Sequence, residues 1–221
     1  MIRAVCFDMD GTLLDTEKDC DTMLAMAAGL EDVVFGEAER AALLGSTMDL
    51  TCDLLEQWFP GRIDRKRIVR EWPLVTIRWM REHGVPFKPG SREVLASLRA
   101  RGIRLALVTS NEPEVVAEYL RMAGWERAFD EVVTGDMVAV GKPAPDIFLL
   151  AAQKLGVPPE ECAGVEDSFN GIRSIRAAGM TSVFIPDMTP WSERMAPYAD
   201  LCLTSLTELE GALPFYDPYL K

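Results

Sequence analysis

Short apolar runs recur along the chain, at residues 2–7, 103–108, 132–133, 163–165, 182–185 and 201–203. Each is bounded by polar or glycine-rich stretches, the pattern of a buried strand. Helical periodicity fills the gaps between them. Ser91 is placed to cap a helix running to about Ala100, with Gly102 beyond it. Pro113 suits the first turn of a helix that carries Val116 and Leu120 on one face and ends near Gly124. Pro145 opens another, through to Gly156. Ser168 caps a fourth, with Ile172 and Ile175 facing inward and Gly179 past its end. Strands alternating with helices of this length predict βαβ units, hence an α/β fold with a parallel sheet.

Residues 15–85 break the pattern. They carry no strong strand signal, and 21–30, 37–44, 48–59 and 64–82 read as helices. Pro73 should kink the last of these or open a new one. A helical insert is therefore expected between the first strand and the helix after Pro89. Its hinges would lie near 14–16 and 85–89. The predicted division is a core of residues 1–14 and 86–221 and an inserted unit of 15–85. The tail, 214–221, is expected to be loosely packed.

Composition narrows the functional classes. Apolar residues form 48% of the 221, enough for a substantial core. The net charge of −12 argues against nucleic acid and anionic membrane surfaces as partners. It does not exclude a pocket that binds one phosphate group. The five cysteines form no C-x-x-C pair, which favours reduced thiols and a cytoplasmic location. No apolar run approaches the ~18 residues of a membrane span, and residues 2–7 lack the shape of a signal peptide. A monomer is the default expectation.

Four polar clusters stand where strands should end: Asp8-Met9-Asp10-Gly11-Thr12, Thr109-Ser110-Asn111, Gly141-Lys142-Pro143 and Glu166-Asp167-Ser168. Ligands of open parallel sheets bind at those ends. A carboxylate can attack phosphorus and form an aspartyl-phosphate, and Asp8 would be held rigidly for it. Asp10, two residues on, can lean over the same site as general acid and base. Two carboxylates would repel a phosphate dianion. Asp8, Glu166 and Asp167 supply the hard oxygen ligands that suit Mg²⁺, which would resolve the repulsion. Lys142 adds a point charge for phosphate oxygens, and the Thr109 hydroxyl with nearby N–H groups adds donors. Taken singly, each cluster has a plain alternative: a turn at Asp10-Gly11, a helix cap at Thr109 or Ser110, a solvated Lys142, a helix-start charge at Glu166 and Asp167. A Walker A reading of Gly141-Lys142 fails, because Asp136 stands where glycine is needed and Pro143 follows the lysine.

Together, and in this order, the clusters resemble the haloacid dehalogenase superfamily, over about residues 1–210. The branch it is most similar to inserts a helical cap after the first motif and includes phosphoglycolate phosphatase and β-phosphoglucomutase relatives. The resemblance implies a Rossmann-like parallel-sheet core with a helical cap domain. It implies Asp8 as nucleophile and Asp10 as acid/base. Thr109, Ser110 and Lys142 would bind phosphate. Asp8, Asp10 (through its carbonyl), Glu166 and Asp167 would bind Mg²⁺. The expected activity is hydrolysis of a small phosphorylated metabolite such as a sugar phosphate. Glu17, Lys18, Thr47 and Asn111 are candidate substrate contacts. Two departures weigh against a phosphosugar mutase: Cys20 stands where a histidine is expected, and the loop Gly45-Ser46-Thr47-Met48-Asp49 holds no cation. A non-catalytic binder of phosphorylated ligands is the alternative from another class; loss of Asp8 or Asp10 would have marked it, and both are present.

Overall fold

In a computed structural model of the chain, residues 1–43 and 48–216 are described. The strands are β1 (Ala4–Phe7), β2 (Arg104–Val108), β3 (Glu131–Val133), β4 (Cys162–Glu166), β5 (Thr181–Phe184) and β6 (Leu201–Cys202). They form one sheet in the order β3-β2-β1-β4-β5-β6, with every neighbour parallel. The chain builds outward from β1 in one direction, then crosses back and builds outward in the other. The order reverses between β1 and β4, which opens a crevice at their carboxyl ends.

Period-two alternation sorts the strand side chains to two faces. Val5, Phe7, Leu105, Leu107, Ala163 and Val165 join one apolar cluster; Ala4, Cys6, Ala106, Val108 and Cys162 join the other. Helices α5 (Ser91–Ala100) and α6 (Pro113–Ala123) supply the first face with Val94, Leu98, Val116 and Tyr119. Helix α7 (Asp146–Leu155) supplies the second with Ile147, Phe148 and Ala151. Helix α8 (Phe169–Ala177) lays Ile175 over Gly164, where an added Cβ would meet the isoleucine side chain at 2.6 Å. A Phe or Leu so enclosed stabilises the fold by roughly 1.5–3 kcal/mol relative to exposure.

Among the described residues of 17–83 the regular elements are all helical: a 3₁₀ turn at Glu17–Asp19, then α1 (Cys20–Ala28), α2 (Glu37–Leu43), α3 (Met48–Trp58) and α4 (Arg65–His83). They bury an apolar cluster of their own around Leu24, Leu30, Phe35, Leu55 and Ile68. Asp64 caps α4, accepting from the N–H groups of Lys66 and Arg67. Pro73 lies inside α4 and opens no second helix, because α1 and the Trp72 side chain pack along the same stretch. Where the chain leaves β1 and returns toward α5, its two connectors pair. Leu14 and Phe87 form an antiparallel bridge, the Asp15 N–H donates to the Pro86 carbonyl (3.0 Å), and the Lys88 N–H donates to the Leu13 carbonyl (3.0 Å).

Three sequence expectations need correction. Gly90, at φ +85°, takes the cap position of α5 and Ser91 is the first helical residue, its hydroxyl buried without a partner. Pro145 is the cap of α7 rather than its first residue. The tail is not loose as far as Tyr216: Phe215 is buried in the core beside a short helix α9 (Leu209–Ala212), and the Tyr216 N–H donates to the Ile2 carbonyl.

Candidate active site

Asp8 is the residue after β1. The register that sets Phe7 beside Leu107 and Val165 brings the ends of β1, β2 and β4 level. Asp8, Thr109, Glu166 and Asp167 therefore meet at the sheet's reversal point, all of them buried. Lys142 reaches them from the loop before α7. Its ammonium donates to Asp8 Oδ1 (2.5 Å) and Glu166 Oε1 (2.8 Å), with its side chain only 8% exposed. The other Glu166 oxygen accepts from the Ser168 N–H at 2.6 Å. Both oxygens of Glu166 are thus engaged, and the carboxylate fixes the lysine in place.

Asp167 has a weaker partner, the Thr12 hydroxyl at 3.2 Å. Gly11 lies against it. At φ +76° this glycine makes the turn that follows Asp10, and an added Cβ would sit 2.2 Å from Asp167 Oδ2. Gly171 has the same relation to Glu166: an added Cβ would meet its carboxyl carbon at 1.8 Å. Two backbone positions are thus kept bare by the two acids of the fourth cluster.

Asp8, Glu166 and Asp167 each place a carboxylate oxygen within 4.8 Å of the others. One ammonium serves this trio. Burial, joined by repulsion from Glu166 and Asp10, pushes the Asp8 carboxyl up despite Lys142. Burial followed by repulsion from Glu166 and Asp8 pushes Asp167 up as well. Burial alone would lower Lys142, but Asp8 and Glu166 outweigh it and hold the ammonium charged. An all-oxygen donor set with unbalanced negative charge fits a hard divalent cation such as Mg²⁺.

Asp10 lies half-buried beside this group. Its Oδ1 accepts from the Thr16 hydroxyl (2.6 Å) and its Oδ2 from the Asn111 amide (2.5 Å). Burial raises its carboxyl, and those two hydrogen bonds pull it back in part. Asn111 also donates to the Thr109 hydroxyl at 3.2 Å. Neither Thr109 nor Ser110 caps α6: the cap position is Glu112.

A cavity of about 790 Å³ opens over these groups, between the sheet's crevice and the helices of 17–83. Asp8, Asp10, Thr109, Ser110, Lys142, Glu166 and Asp167 all line it, as do Glu17, Lys18 and Asn111. Thr47 lies outside the described residues, as do residues 44–46 before it. Burial, with Asp10, Asp187 and Glu166 adding repulsion, lifts Glu17 to about 7. Trp72, which packs among the inserted helices, also lines the cavity. Cys20 lines it as a thiol donating to the Thr16 carbonyl, and burial raises its pKa further. Thr12 and Thr16 were not singled out from the sequence. Thr12 stood inside the first motif, but Thr16 carried no signal, because its contact with Asp10 depends on how the connector folds back.

Comparison with known proteins identifies the family and the fold. Residues 2–179 match the family model described as haloacid dehalogenase-like hydrolase. Hexitol phosphatase B of Escherichia coli is 31% identical over 209 residues, 94% of each chain. Protein CbbY of Cereibacter sphaeroides is 33% identical over 223 residues, covering 96% of this chain and 95% of its own. A crystal structure of CbbY from Rhodobacter sphaeroides in complex with xylulose-(1,5)bisphosphate superposes with a TM-score of 0.80 at 30% identity, covering 95% and 96% of the two chains.

Proposed function

The chain belongs to the haloacid dehalogenase-like hydrolases, and from that premise we propose that it is a Mg²⁺-dependent phosphatase that hydrolyses a small phosphorylated metabolite, a sugar phosphate, through an aspartyl-phosphate on Asp8. The observation that carries the reading is the meeting of Asp8, Lys142, Glu166 and Asp167 at the reversal point of the sheet, with Asp10 beside them.

Asp8 is the nucleophile. Its rigid seat at the end of β1 points a carboxylate oxygen into the cavity, where it attacks phosphorus as the bond to the leaving oxygen breaks. Asp10 protonates that oxygen. Burial favours its protonated form, and to hold that proton it must give up Thr16 or Asn111. The same carboxylate then takes a proton from water, which attacks the aspartyl-phosphate and releases phosphate. Lys142, the Thr109 hydroxyl and the Ser110 region hold the phosphate oxygens. Asp8, Asp167, Glu166 and the Asp10 carbonyl would hold Mg²⁺, which when bound supplies charge neutralisation and orientation for in-line attack.

In this reading residues 15–85 form a cap over a core of 1–14 and 86–221. Support comes from the separate apolar cluster of the inserted helices and from a cavity lined by both parts. All the proposed catalytic groups come from one chain, so a monomer suffices. The unpaired thiols Cys6, Cys20, Cys52, Cys162 and Cys202 suit the cytoplasm. Cys20, a neutral thiol, offers no proton shuttle, which favours release of phosphate to water over its transfer to a second sugar hydroxyl, as a mutase requires.

The test is phosphate release from a panel of sugar phosphates with Mg²⁺ and with EDTA, for the protein and for Asp8→Asn. Metal-dependent release, abolished in the variant while its unfolding curve is retained, is the expected result. Activity surviving in Asp8→Asn removes the nucleophile from this account.

A further inference from the structure

The charge of the cavity lining is lopsided. Among the described residues, Lys18, Arg40 and Lys142 are its only lysines and arginines, against seven acidic side chains, Asp8, Asp10, Glu17, Asp21, Glu112, Glu166 and Asp167. Each cation already has an acid. Lys142 holds Asp8 and Glu166. The Lys18 ammonium lies 2.7 Å from Asp15 Oδ2, and the Arg40 Nε lies 2.7 Å from Asp21 Oδ2. The wall away from the sheet also carries the apolar Leu43, Met48, Trp72 and Pro73 and the uncharged Thr22, Thr51 and Thr76. One buried hydroxyl on that wall, Thr76 Oγ1, has no protein partner.

Resting on the phosphatase reading, we propose that this cavity takes substrates with a single phosphate on an uncharged, hydroxylated leaving group, and that it rejects those bearing a second anion, whether bisphosphates or phosphorylated carboxylic acids. A phosphate seated at Lys142 uses the one cation among the strand-end groups. A second anion would then face Asp21, the exposed Glu112 and the ionised fraction of Glu17, and like charges repel. To accept it, Arg40 would have to leave Asp21, or Lys18 leave Asp15. Hydroxyl groups meet no such obstacle: they donate to those same carboxylates and accept from threonine hydroxyls, while their C–H faces pack on Trp72. In this respect the chain would differ from the CbbY relative whose structure holds a bisphosphate.

The experiment compares kcat/KM within matched pairs in excess Mg²⁺: fructose 6-phosphate against fructose 1,6-bisphosphate, and glycerol 3-phosphate against 3-phosphoglycerate. Para-nitrophenyl phosphate serves as the reference for turnover. The doubly anionic member of each pair should be at least tenfold poorer, mainly through KM. The gap should narrow when salt is raised from 0.1 M to 1 M, since the screening length falls from ~10 Å to ~3 Å. Asp21→Asn, which releases Arg40, should narrow it too. Equal kcat/KM within the pairs, or a preferred bisphosphate, overturns the inference alone. So does a gap that neither salt nor Asp21→Asn moves, because exclusion would then be steric. No metal-dependent release from any of these compounds would overturn the phosphatase reading, and this inference with it.

Discussion

Glu17→Gln should stabilise the protein at pH 8.5 and change it little at pH 5. The ordinary value for the carboxyl is 4.5, and in the folded chain burial and the neighbouring acids lift it to about 7. Its folded pKa is raised, so the folded state holds the proton more tightly than the unfolded chain does. The native state bears no penalty below 4.5. As pH rises from 4.5 to about 7 the unfolded chain ionises first, and stability falls; above 7 the loss is complete. At about 1.4 kcal/mol per pH unit, that interval sets a ceiling of about 3 kcal/mol. For a chain of this size the difference corresponds to roughly 6–12 °C in melting temperature. Thermal and urea unfolding should be followed in EDTA, so that no bound cation offsets the neighbouring acids. The variant should gain on the parent steadily between pH 5 and pH 7.5, then hold its lead. Parallel curves with a constant offset would refute the assignment of a buried, repelled carboxyl at this position.

Lys142→Met should destabilise the protein by about 3–5 kcal/mol at neutral pH, because it leaves Asp8 and Glu166 buried without their cation. The same change made on top of Asp8→Asn should be milder, and a double-mutant cycle in urea with no coupling would contradict the ion pair. Gly11→Ala forces a side chain into left-handed backbone, about 1–2 kcal/mol, and drives its methyl into Asp167. A Mg²⁺ titration of phosphatase activity should show its midpoint raised at least tenfold; an unmoved midpoint would take Asp167 out of the metal set.

The strand-end clusters were legible in the sequence because short apolar runs mark where β1, β2 and β4 stop, and the polar residues directly after them have nowhere to sit but the carboxyl edge. Asp8, Thr109 and Glu166 could be brought together on that ground alone. Contacts that depend on loops folding over the edge were not legible. Lys88 binds Asp187 at 2.6 Å, tying the returning connector to the loop after β5, and no local pattern announces a pair so far apart in the chain. The cap of α5 was misassigned because serine is the commoner cap, whereas here the left-handed backbone at residue 90 selects glycine. The order of Ile2 and Phe215 reflects a pairing between segments far apart in the chain that only the assembled fold creates.

The paired connectors have a consequence for how this architecture tolerates change. Leu13, Asp15, Pro86 and Lys88 hydrogen-bond to one another across the point where the chain departs and returns. The strands and α5 therefore experience the residues between as a loop already closed at its base. Lengthening such a loop adds only about 0.6 kcal/mol per doubling. The helices can drift in sequence, exchange or grow without disturbing the register of the sheet. A lineage, or an engineer, could re-tailor the wall facing the leaving group while the groups facing phosphorus stay fixed.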